Sequence, residues 1–457
     1  MEYRRLVSEA HLMVQEFLQT QGYKGALEAY EQEAKGVLED IPKSMPTPKP
    51  LLEVLTDKRM AQLHSQLGQL NMPSQAEEQD FATPGDYNSI PSKIHEVIKD
   101  IHPVNIIFAR TAEVAVEPRL DDLELDPTMT VKKVGALVTA AADRTIKFTL
   151  LDGNTYGDEQ PGQVFNILQP HEGVALDIDF HPRHPELMLT SAMDKTMVLT
   201  NTITGEQHQH FKDHAKFVVR AKFAKNGDII VTGSHDKTVN IYKVQPGQDV
   251  HQLPRYALDK TLNFKGAVEG LCVLPMTSSR TAPTVVIGTR DDNYLHYVDL
   301  NNYSTVKYNM NVNNDDWVSF TPMDISVSPH NDGGYLLVST DSPTGRQILF
   351  RTDSALQLFN YYGVPTDGFS TPRHAWDKSG KFFYVTGNDH KIYCFQVGGS
   401  QEIMGILEGH TSVIRGLHMD YGRNMLVSCG FDKSVRLWVS SSALTAAEDQ
   451  SNMILDQ

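Results

Sequence analysis

The 457-residue sequence predicts an all-β repeat fold preceded by a small α-helical segment. Near the amino terminus, apolar residues recur at steps of three and four, as they do on one face of a helix. Beyond about residue 100 they alternate with polar residues, as in half-buried strands. A short motif centred on aspartate then returns at similar intervals. The change of period therefore separates a short helical part from a long β part.

The aspartate motif occurs in six clear copies and one diverged copy. The clear copies are AAADRTIKF at Asp143, SAMDKTMVL at Asp194, GSHDKTVNI at Asp236, GTRDDNYLH at Asp291, TGNDHKIYC at Asp389 and CGFDKSVRLW at Asp432. The diverged copy, LLVSTDSPTGRQILF, surrounds Asp341. Successive aspartates lie 42 to 55 residues apart, the length of a four-stranded propeller blade with variable loops. Seven copies predict a seven-bladed β-propeller over residues 104–440.

The remaining segments are assigned from composition and spacing. Residues 1–35 form two helices separated at Gly22, 36–50 form a proline-rich linker, and 71–103 form a polar linker. Residues 51–70 carry a narrow apolar stripe at helical spacing. This amphipathic helix fits either a short coiled coil or packing on the domain's own surface. The acidic tail, 441–457, is expected to be disordered.

Charge and composition limit the partners. The formal net charge of −16 disfavours binding to nucleic acid, because binding to DNA depends on Lys and Arg contacts to phosphates. No apolar run is long enough for a membrane span, and no secretory signal is visible. Cys272, Cys394 and Cys429 lie far apart and are expected to be free thiols. A cytoplasmic or nuclear location follows as an expectation.

Glycine-histidine at 409–410, the turn Asp432-Lys433-Ser434 and the pair Leu437-Trp438 resemble a WD repeat. The copies at Asp194 and Asp236 keep the histidine and an Asp-Lys-Thr turn, whereas copies one, four, five and six are expected to lack the histidine. The resemblance implies a ring closed by an amino-terminal strand, and the apolar run 104–110 (VNIIFAR) is the candidate for it. It also implies partner-protein binding on the face formed by d–a loops and b–c turns.

Histidine, hydroxyl and aspartate residues recur once per repeat, although together they are the residue types of a Ser-His-Asp hydrolase. A catalytic site is needed once, whereas a structural network is needed in every blade. The resemblance implies hydrogen-bonded structural tetrads. Their members are His171, Thr190 and Asp194; His214, Thr232, Asp236 and Tyr242; and His410, Ser428, Asp432 and Trp438.

We find no pattern that indicates enzymatic chemistry. His208, His210 and His214 have a spacing that imidazole ligands can use, but no cysteine or carboxylate is grouped with them to complete a metal site. No phosphate-binding loop or nucleophile elbow is present. The sequence therefore predicts no catalytic residues, no metal, no cofactor and no small-molecule substrate. A hydrolase that uses a propeller pocket remains a remote alternative.

The two amino-terminal helices resemble the LisH motif from Met13 to Glu33. In that family two helix pairs dimerise and bury their apolar faces. The residues that carry this prediction are Met13, Val14, Phe17, Leu18, Tyr23, Ala26, Leu27 and Tyr30. The alternative is a helical hairpin docked on its own propeller.

The residues just before the turn aspartates are candidates for a partner-binding rim. They are Met193, His235, Arg290 and Phe431, and Trp317 at the start of the fifth blade is added to them. The alternative places these side chains partly buried between blades.

The order of the segments predicts a dimeric, non-catalytic scaffold that assembles a multiprotein complex. This order resembles the lissencephaly-type dynein regulators, and also the LisH/WD subunits of transcriptional corepressors, ubiquitin ligases and splicing adaptors. The motifs do not distinguish among these families.

Overall fold

The computed structural model describes residues 2–35 and 85–444, together with Phe81. Short gaps fall at 120–121, 124–125, 127–128, 130, 152–155, 157–159, 247–251, 279, 314 and 368–370. The chain divides into two compact units, Met1–Met72 and Pro73–Gln457. The interpretations of 36–50 and 51–70, of nearly all of 71–84 and of 445–457 fall outside the described residues. Residues 441–444, predicted as part of a disordered tail, instead form a helical turn.

The first unit contains a helical hairpin. Helix α1 (Glu2–Thr20) and helix α2 (Lys24–Glu33) are joined at Gly22, whose φ of +75° favours glycine. Across the hairpin, the Nδ1 atom of His11 lies 2.6 Å from the Tyr30 hydroxyl, and the two rings stack at 5.8 Å. No residue within α2 is buried. In the part of α1 whose side chains the structure describes, Met13, Val14, Phe17 and Leu18 are likewise only partly buried.

The second unit is a ring of seven four-stranded antiparallel sheets, which confirms the predicted number of blades. Its first strand is β1 (Lys93–Ile98). Blade 1 contains β2 (Ile106–Val116), β3 (Lys132–Ala141), β4 (Ile146–Leu150) and β5 (Val164–Leu168). Blade 2 contains β6 (Ala175–Phe180), β7 (Leu187–Ala192), β8 (Met197–Asn201) and β9 (Gln207–Phe211). Blade 3 contains β10 (Val218–Ala224), β11 (Ile229–Ser234), β12 (Thr238–Val244) and β13 (Tyr256–Asn263).

The other four blades follow the same order. Blade 4 contains β14 (Val268–Leu274), β15 (Thr284–Thr289), β16 (Tyr294–Asp299) and β17 (Thr305–Asn309). Blade 5 contains β18 (Pro322–Val327), β19 (Tyr335–Thr340), β20 (Gln347–Arg351) and β21 (Gln357–Tyr361). Blade 6 contains β22 (His374–Trp376), β23 (Phe382–Thr386), β24 (Ile392–Gln396) and β25 (Ile403–Leu407). Blade 7 contains β26 (Ile414–Asp420), β27 (Met425–Gly430) and β28 (Val435–Val439), with β1 as its fourth strand.

The strand that closes the ring differs from the prediction. Strand β1 pairs antiparallel with β28, from Lys93 opposite Val439 to Ile98 opposite Val435. The run 104–110 instead leads into β2, the first strand of blade 1. That run is apolar because a first strand lies deep in the ring, whereas the closing strand is an outer strand with half-exposed side chains. The apolar composition of 104–110 therefore predicted the wrong strand as the one that closes the ring.

Part of the predicted linker 71–103 is also ordered against the ring. Ile90 is buried in the apolar cluster between blades 6 and 7, which contains Trp438. The Tyr384 hydroxyl donates a hydrogen bond of 2.8 Å to the Pro91 carbonyl. The β unit therefore begins before residue 104, the start that the repeat spacing predicted.

Apolar clusters between neighbouring blades hold the ring together. Between blades 5 and 6, the rings of Tyr361, Phe383 and Phe395 pack in one cluster with Trp376. The middle strands are buried on both faces, as β7 and β19 illustrate. Cys272, Cys394 and Cys429 are buried free thiols within this packing. Blade-to-blade packing of this kind makes each sheet dependent on its neighbours.

Candidate functional site at the mouth of the central channel

The structure brings the predicted tetrad residues together in blades 2, 3 and 7. His171 Nε2 lies 2.8 Å from Thr190 Oγ1, and its Nδ1 lies 3.2 Å from Asp194. The corresponding distances are 2.7 and 3.0 Å for His214 with Thr232 and Asp236. In blade 7, both distances are 2.8 Å for His410 with Ser428 and Asp432. Each network ties the loop before a first strand to the b–c turn of the same blade.

The turn aspartates also determine the local backbone. In blade 7, Asp432 accepts hydrogen bonds from the Ser434 backbone amide and hydroxyl. The intervening Lys433 takes the left-handed conformation, with φ of +61°. The same arrangement occurs at Asp143, Asp194 and Asp236. This local structure explains the recurring Asp-Lys-Thr pattern.

Blade 1 contains a His-Thr-Asp network that the sequence analysis missed, so the expectation that copy one lacks its histidine is wrong. His102 lies 3.1 Å from Asp143 and 2.9 Å from Thr139. The histidine precedes its aspartate by 41 residues, against 22 or 23 in the other three blades. The extra residues lie between β2 and β3. A histidine just before blade 1 could have indicated this network. The insertion between β2 and β3, however, lengthens its separation from the turn aspartate beyond that of the other repeats.

Blade 4 differs from the other blades in its turn aspartate and in the origin of its histidine. Asp291, which the repeat alignment selected, itself takes the left-handed conformation, with φ of +56°. The neighbouring Asp292 accepts from the Tyr294 amide and lies 2.9 Å from His296 Nε2. The histidine partner in this blade therefore comes from β16 rather than from the preceding loop.

The hydrolase-like residues of blade 7 are enclosed. Ser428 is fully buried, and its hydroxyl accepts a hydrogen bond of 2.8 Å from Trp438 Nε1 while it contacts His410. Tyr242, the corresponding aromatic in blade 3, donates instead to Asp213, at 3.1 Å. A serine nucleophile must reach its substrate, and Ser428 has no open approach.

A cavity of about 520 Å³ occupies the central channel. Its walls come from the first strands of all seven blades. Six of these strands carry a β-bulge near their start, and Glu269 and Arg415 are residues left unpaired by such bulges. A bulge redirects side chains at the end of a strand. The inner strands therefore bring polar side chains to one end of the channel.

Four of the five predicted rim residues meet at this end of the channel. Met193, His235 and Arg290 line the cavity. Phe431 lies beside it, with the Arg415 guanidinium 5.7 Å from the centre of its ring. Met193 is 38% exposed, so an approaching protein can contact it. We refer to the cavity end bounded by these four residues as the channel mouth.

Trp317 is not among the residues that line the cavity. It is 74% exposed, and the Asn311 amide donates a hydrogen bond of 2.6 Å to its carbonyl. The structure therefore does not bring Trp317 together with the other rim candidates.

Positive charge dominates the cavity walls. The lining residues include six cations, namely Arg110, Arg220, Lys222, Arg290, Arg373 and Arg415. They include three carboxylates, namely Asp177, Glu269 and Asp324. The described lining thus has a formal surplus of three positive charges in a chain of net charge −16. Among these cations the sequence analysis selected Arg290 alone. The signal for Arg415 was its interruption of the apolar alternation after His410.

Each carboxylate of the cavity is already engaged. Asp177 accepts from Lys222 Nζ at 2.8 Å, and Glu269 accepts from Arg290 Nε at 2.6 Å. Burial alone would raise the pKa of Glu269, but His235 and Arg290 lower the pKa of that carboxyl to about 2. Glu269 therefore stays ionised and fixes the position of Arg290.

The fold and the recurring His-Asp tetrads are typical of a WD-repeat propeller. Residues 205–243 and 401–439 match the family described as WD40, the WD domain or G-beta repeat. The two matches fall on β9 to β12 and on β25 to β28. Together with the seven-bladed ring, they support the WD-repeat propeller family.

Similar proteins match short parts of the chain. The Small ribosomal subunit protein RACK1 of Candida albicans is 26% identical over 87 residues, which cover 18% of this chain and 27% of RACK1. The Protein SOF1 of Saccharomyces cerevisiae is 35% identical over 98 residues, which cover 19% of this chain and 20% of SOF1. The Small ribosomal subunit protein RACK1 of Dictyostelium discoideum is 26% identical over 83 residues, 17% of this chain and 25% of RACK1. The chain thus spans about a fifth to a quarter of the length of these relatives.

Two further findings concern the described part of the chain. It contains no helix that is both long and apolar enough to cross a membrane. It also contains no group of three or more His, Cys, Asp or Glu residues arranged to hold a metal ion.

Proposed function

We propose that this protein is a non-catalytic scaffold that binds partner proteins at the channel mouth. The observation that carries the proposal is the convergence of Met193, His235, Arg290 and Phe431 around an open, charged cavity. Protein interfaces are enriched in Met, Arg and aromatic residues, which contribute much of the binding energy when they lie close together. The relation to WD-repeat proteins supports the same class of function.

The structure of the mouth suits recognition of another protein better than turnover of a substrate. Two of its lining cations are fixed in ion pairs, Lys222 with Asp177 and Arg290 with Glu269. Among its described lining residues, Ser326 Oγ and His374 Nε2 are hydrogen-bonded, but the His374 side chain is buried. Its Nδ1 lies 2.7 Å from the Ser339 hydroxyl and 3.9 Å from Asp324, so no carboxylate orients it as in a Ser-His-Asp triad. Ser428, in the hydrolase-like arrangement of blade 7, is enclosed. Apolar side chains at the edge of the mouth supply the contact area that binding needs.

The rim is tested by partner capture with a Met193→Ala/Phe431→Ala double variant of the full chain. We expect affinity purification with mass spectrometry to recover partners with the wild-type chain and to lose at least one of them with this variant. The matched control is Met404→Ala/Ile406→Ala, which truncates exposed side chains on the outer strand β25. An unchanged set of partners for the rim variant would show that partners bind elsewhere.

We further propose that the amino-terminal hairpin joins two chains through a LisH-type contact. Met13, Val14, Phe17 and Leu18 of α1 are only partly buried, and Tyr23 is 55% exposed. Pairing with a second hairpin would cover these side chains. A dimer would hold two channel mouths together and so raise the avidity for a partner with repeated binding segments.

The dimer is tested by light scattering on the full chain at micromolar concentration. We expect the wild-type protein to have twice the mass of one chain. The Phe17→Asp variant should have the mass of one chain, because the introduced charge would have to be buried in the contact. Gln19→Asp, at an exposed position two residues away, is the control and should remain dimeric. A monomeric wild-type chain would refute the dimer and leave the partner-binding rim untouched.

A further inference from the structure

Two arginines at the channel mouth share one carboxylate, and a third arginine, Arg415, lies near them without contacting it. Arg220 Nη2 lies 3.2 Å from an oxygen of Asp324, and Arg373 Nη1 lies 3.7 Å from the same oxygen. Burial and the charge of Arg220 lower the pKa of Arg415, although the charge of Glu269 opposes them. Burial and the same kind of repulsion lower the pKa of Arg373 to about 10, although Asp324 opposes them. The three guanidinium groups therefore repel one another across the mouth.

Arg415 is the least compensated of the three. Its Nη1 donates to the Thr371 hydroxyl, and its guanidinium lies over the Phe431 ring. Its Nε is buried without a hydrogen-bond partner. No carboxylate of the described cavity lining forms an ion pair with it, because Asp177, Glu269 and Asp324 contact the other lining cations. An uncompensated cation in a partly buried position costs stability, and sites that bind an anion commonly retain such groups.

We propose that the channel mouth binds a phosphate group carried by a phosphorylated segment of a partner protein, with Arg220, Arg373 and Arg415 as its ligands. This inference rests on the proposed function, because it assigns a ligand to the partner-binding rim. A phosphorylated side chain carries about −1.5 to −2 charges and three acceptor oxygens, which suit several guanidinium donors. The three arginines and Asp324 leave two surplus positive charges, of which a single carboxylate would neutralise only one.

The surroundings of the arginines favour a protein as the source of the phosphate. The cavity, at about 520 Å³, is much larger than a phosphate ion and leaves room for neighbouring residues of a peptide. Met193 and Phe217 line the cavity and are partly exposed, and Phe431 lies beside Arg415. These apolar side chains can contact the residues on either side of the phosphorylated one. A free inorganic ion would make no such contacts.

The test measures fluorescence anisotropy of labelled degenerate peptides with the full chain. One pool carries a central phosphoserine or phosphothreonine, a second carries Ser or Thr, and a third carries Glu. We expect binding of the phosphorylated pool only. Arg415→Gln and Arg373→Gln should each weaken it about tenfold or more, since each removes a charged hydrogen bond. Arg183→Gln, a surface arginine outside the cavity, is the control and should bind normally.

Stability measurements separate loss of the site from loss of the fold. Because Arg415 is repelled by its neighbours, Arg415→Gln should keep a melting temperature at or above that of the wild-type chain. The phosphorylated pool should raise the melting temperature of the wild-type chain and of Arg183→Gln, but not that of Arg415→Gln. Arg415→Lys keeps the charge without the two-pronged geometry, so its binding should be intermediate.

Three outcomes would overturn the inference. Equal binding of the phosphorylated and unmodified pools would remove phosphate as the ligand. Equal binding of the glutamate pool would assign the site to carboxylates. Inorganic phosphate that competes as well as the peptide, mole for mole, would remove the protein as the source. Each of these can occur while Met193→Ala/Phe431→Ala still loses partners, so the proposed function is judged separately.

Discussion

Replacing Asp432 with alanine should lower the free energy of unfolding by about 3 kcal/mol, because several donors would lose a buried acceptor at once. Asp432 accepts from the Thr411 amide at 3.1 Å and from the Ser434 hydroxyl at 2.8 Å, besides its contact with His410. The side chain is 5% exposed, so water cannot replace the carboxylate. Urea unfolding and the melting temperature of the full chain measure the effect.

Asp389 provides the matched control within the same fold. It occupies the b–c turn of blade 6, where its Oδ2 accepts from the Tyr393 hydroxyl at 2.6 Å. Its Oδ1 has no hydrogen-bond partner. Asp389→Ala should therefore cost about 1 kcal/mol, the typical net value of one hydrogen bond. If both variants lost the same stability, the tetrad of blade 7 would have no special structural role.

The same tetrad should make stability fall in acid. Burial lowers the pKa of His410, although Asp432 opposes this change. The unfolded chain therefore binds a proton at this histidine first, and stability decreases as the pH falls below about 6.5. His410 lowers the pKa of Asp432 against the effect of burial. The stability that the Asp432 carboxylate contributes is therefore present above about pH 4 and is lost below it. Both groups therefore lower the stability of the fold as the pH falls.

Removal of strand β1 should have the second large effect. A chain of residues 99–457 would lack the strand that pairs with β28 and would expose the open edge of blade 7. It would also lose Ile90, Ile94 and Ile98, which pack in the clusters on either side of that blade. Three isoleucines contribute roughly 5 kcal/mol, which corresponds to a melting temperature lower by roughly 7 °C for a domain of this size.

Residues 73–457, the second compact unit, form the control for this deletion. This chain keeps β1 and should melt close to the temperature of the full protein in circular dichroism. The chain of residues 99–457 should in addition aggregate, because an unpaired strand edge pairs with other chains. Similar melting of both shortened chains, without aggregation, would mean that β1 is dispensable for closing the ring.

The sequence predicted the number of blades because each turn aspartate marks one blade through local hydrogen bonds. It did not predict which strand closes the ring, since an outer strand such as β1 has no strong apolar pattern. It missed His102 because the insertion between β2 and β3 changed the spacing on which the comparison of repeats depended.

The cationic channel was beyond the reach of sequence reasoning for a different reason. Arg220, Arg373 and Arg415 lie on three different blades, and alternation along a strand indicates only which face a side chain occupies. Arg373 lies directly before its strand, where no alternation guides the interpretation. Only the closed ring places these three positions around one cavity.

Closure of the ring by β1 delays folding of blade 7 during synthesis of the chain. Strand β1 leaves the ribosome about 340 residues before its partner β28. At typical rates of synthesis this interval lasts roughly 20 to 70 s. During that time β1 has no partner in the chain, and six blades can assemble while the seventh waits for it. Newly made chains are therefore most exposed to aggregation, and most dependent on chaperones, just before the last strand emerges.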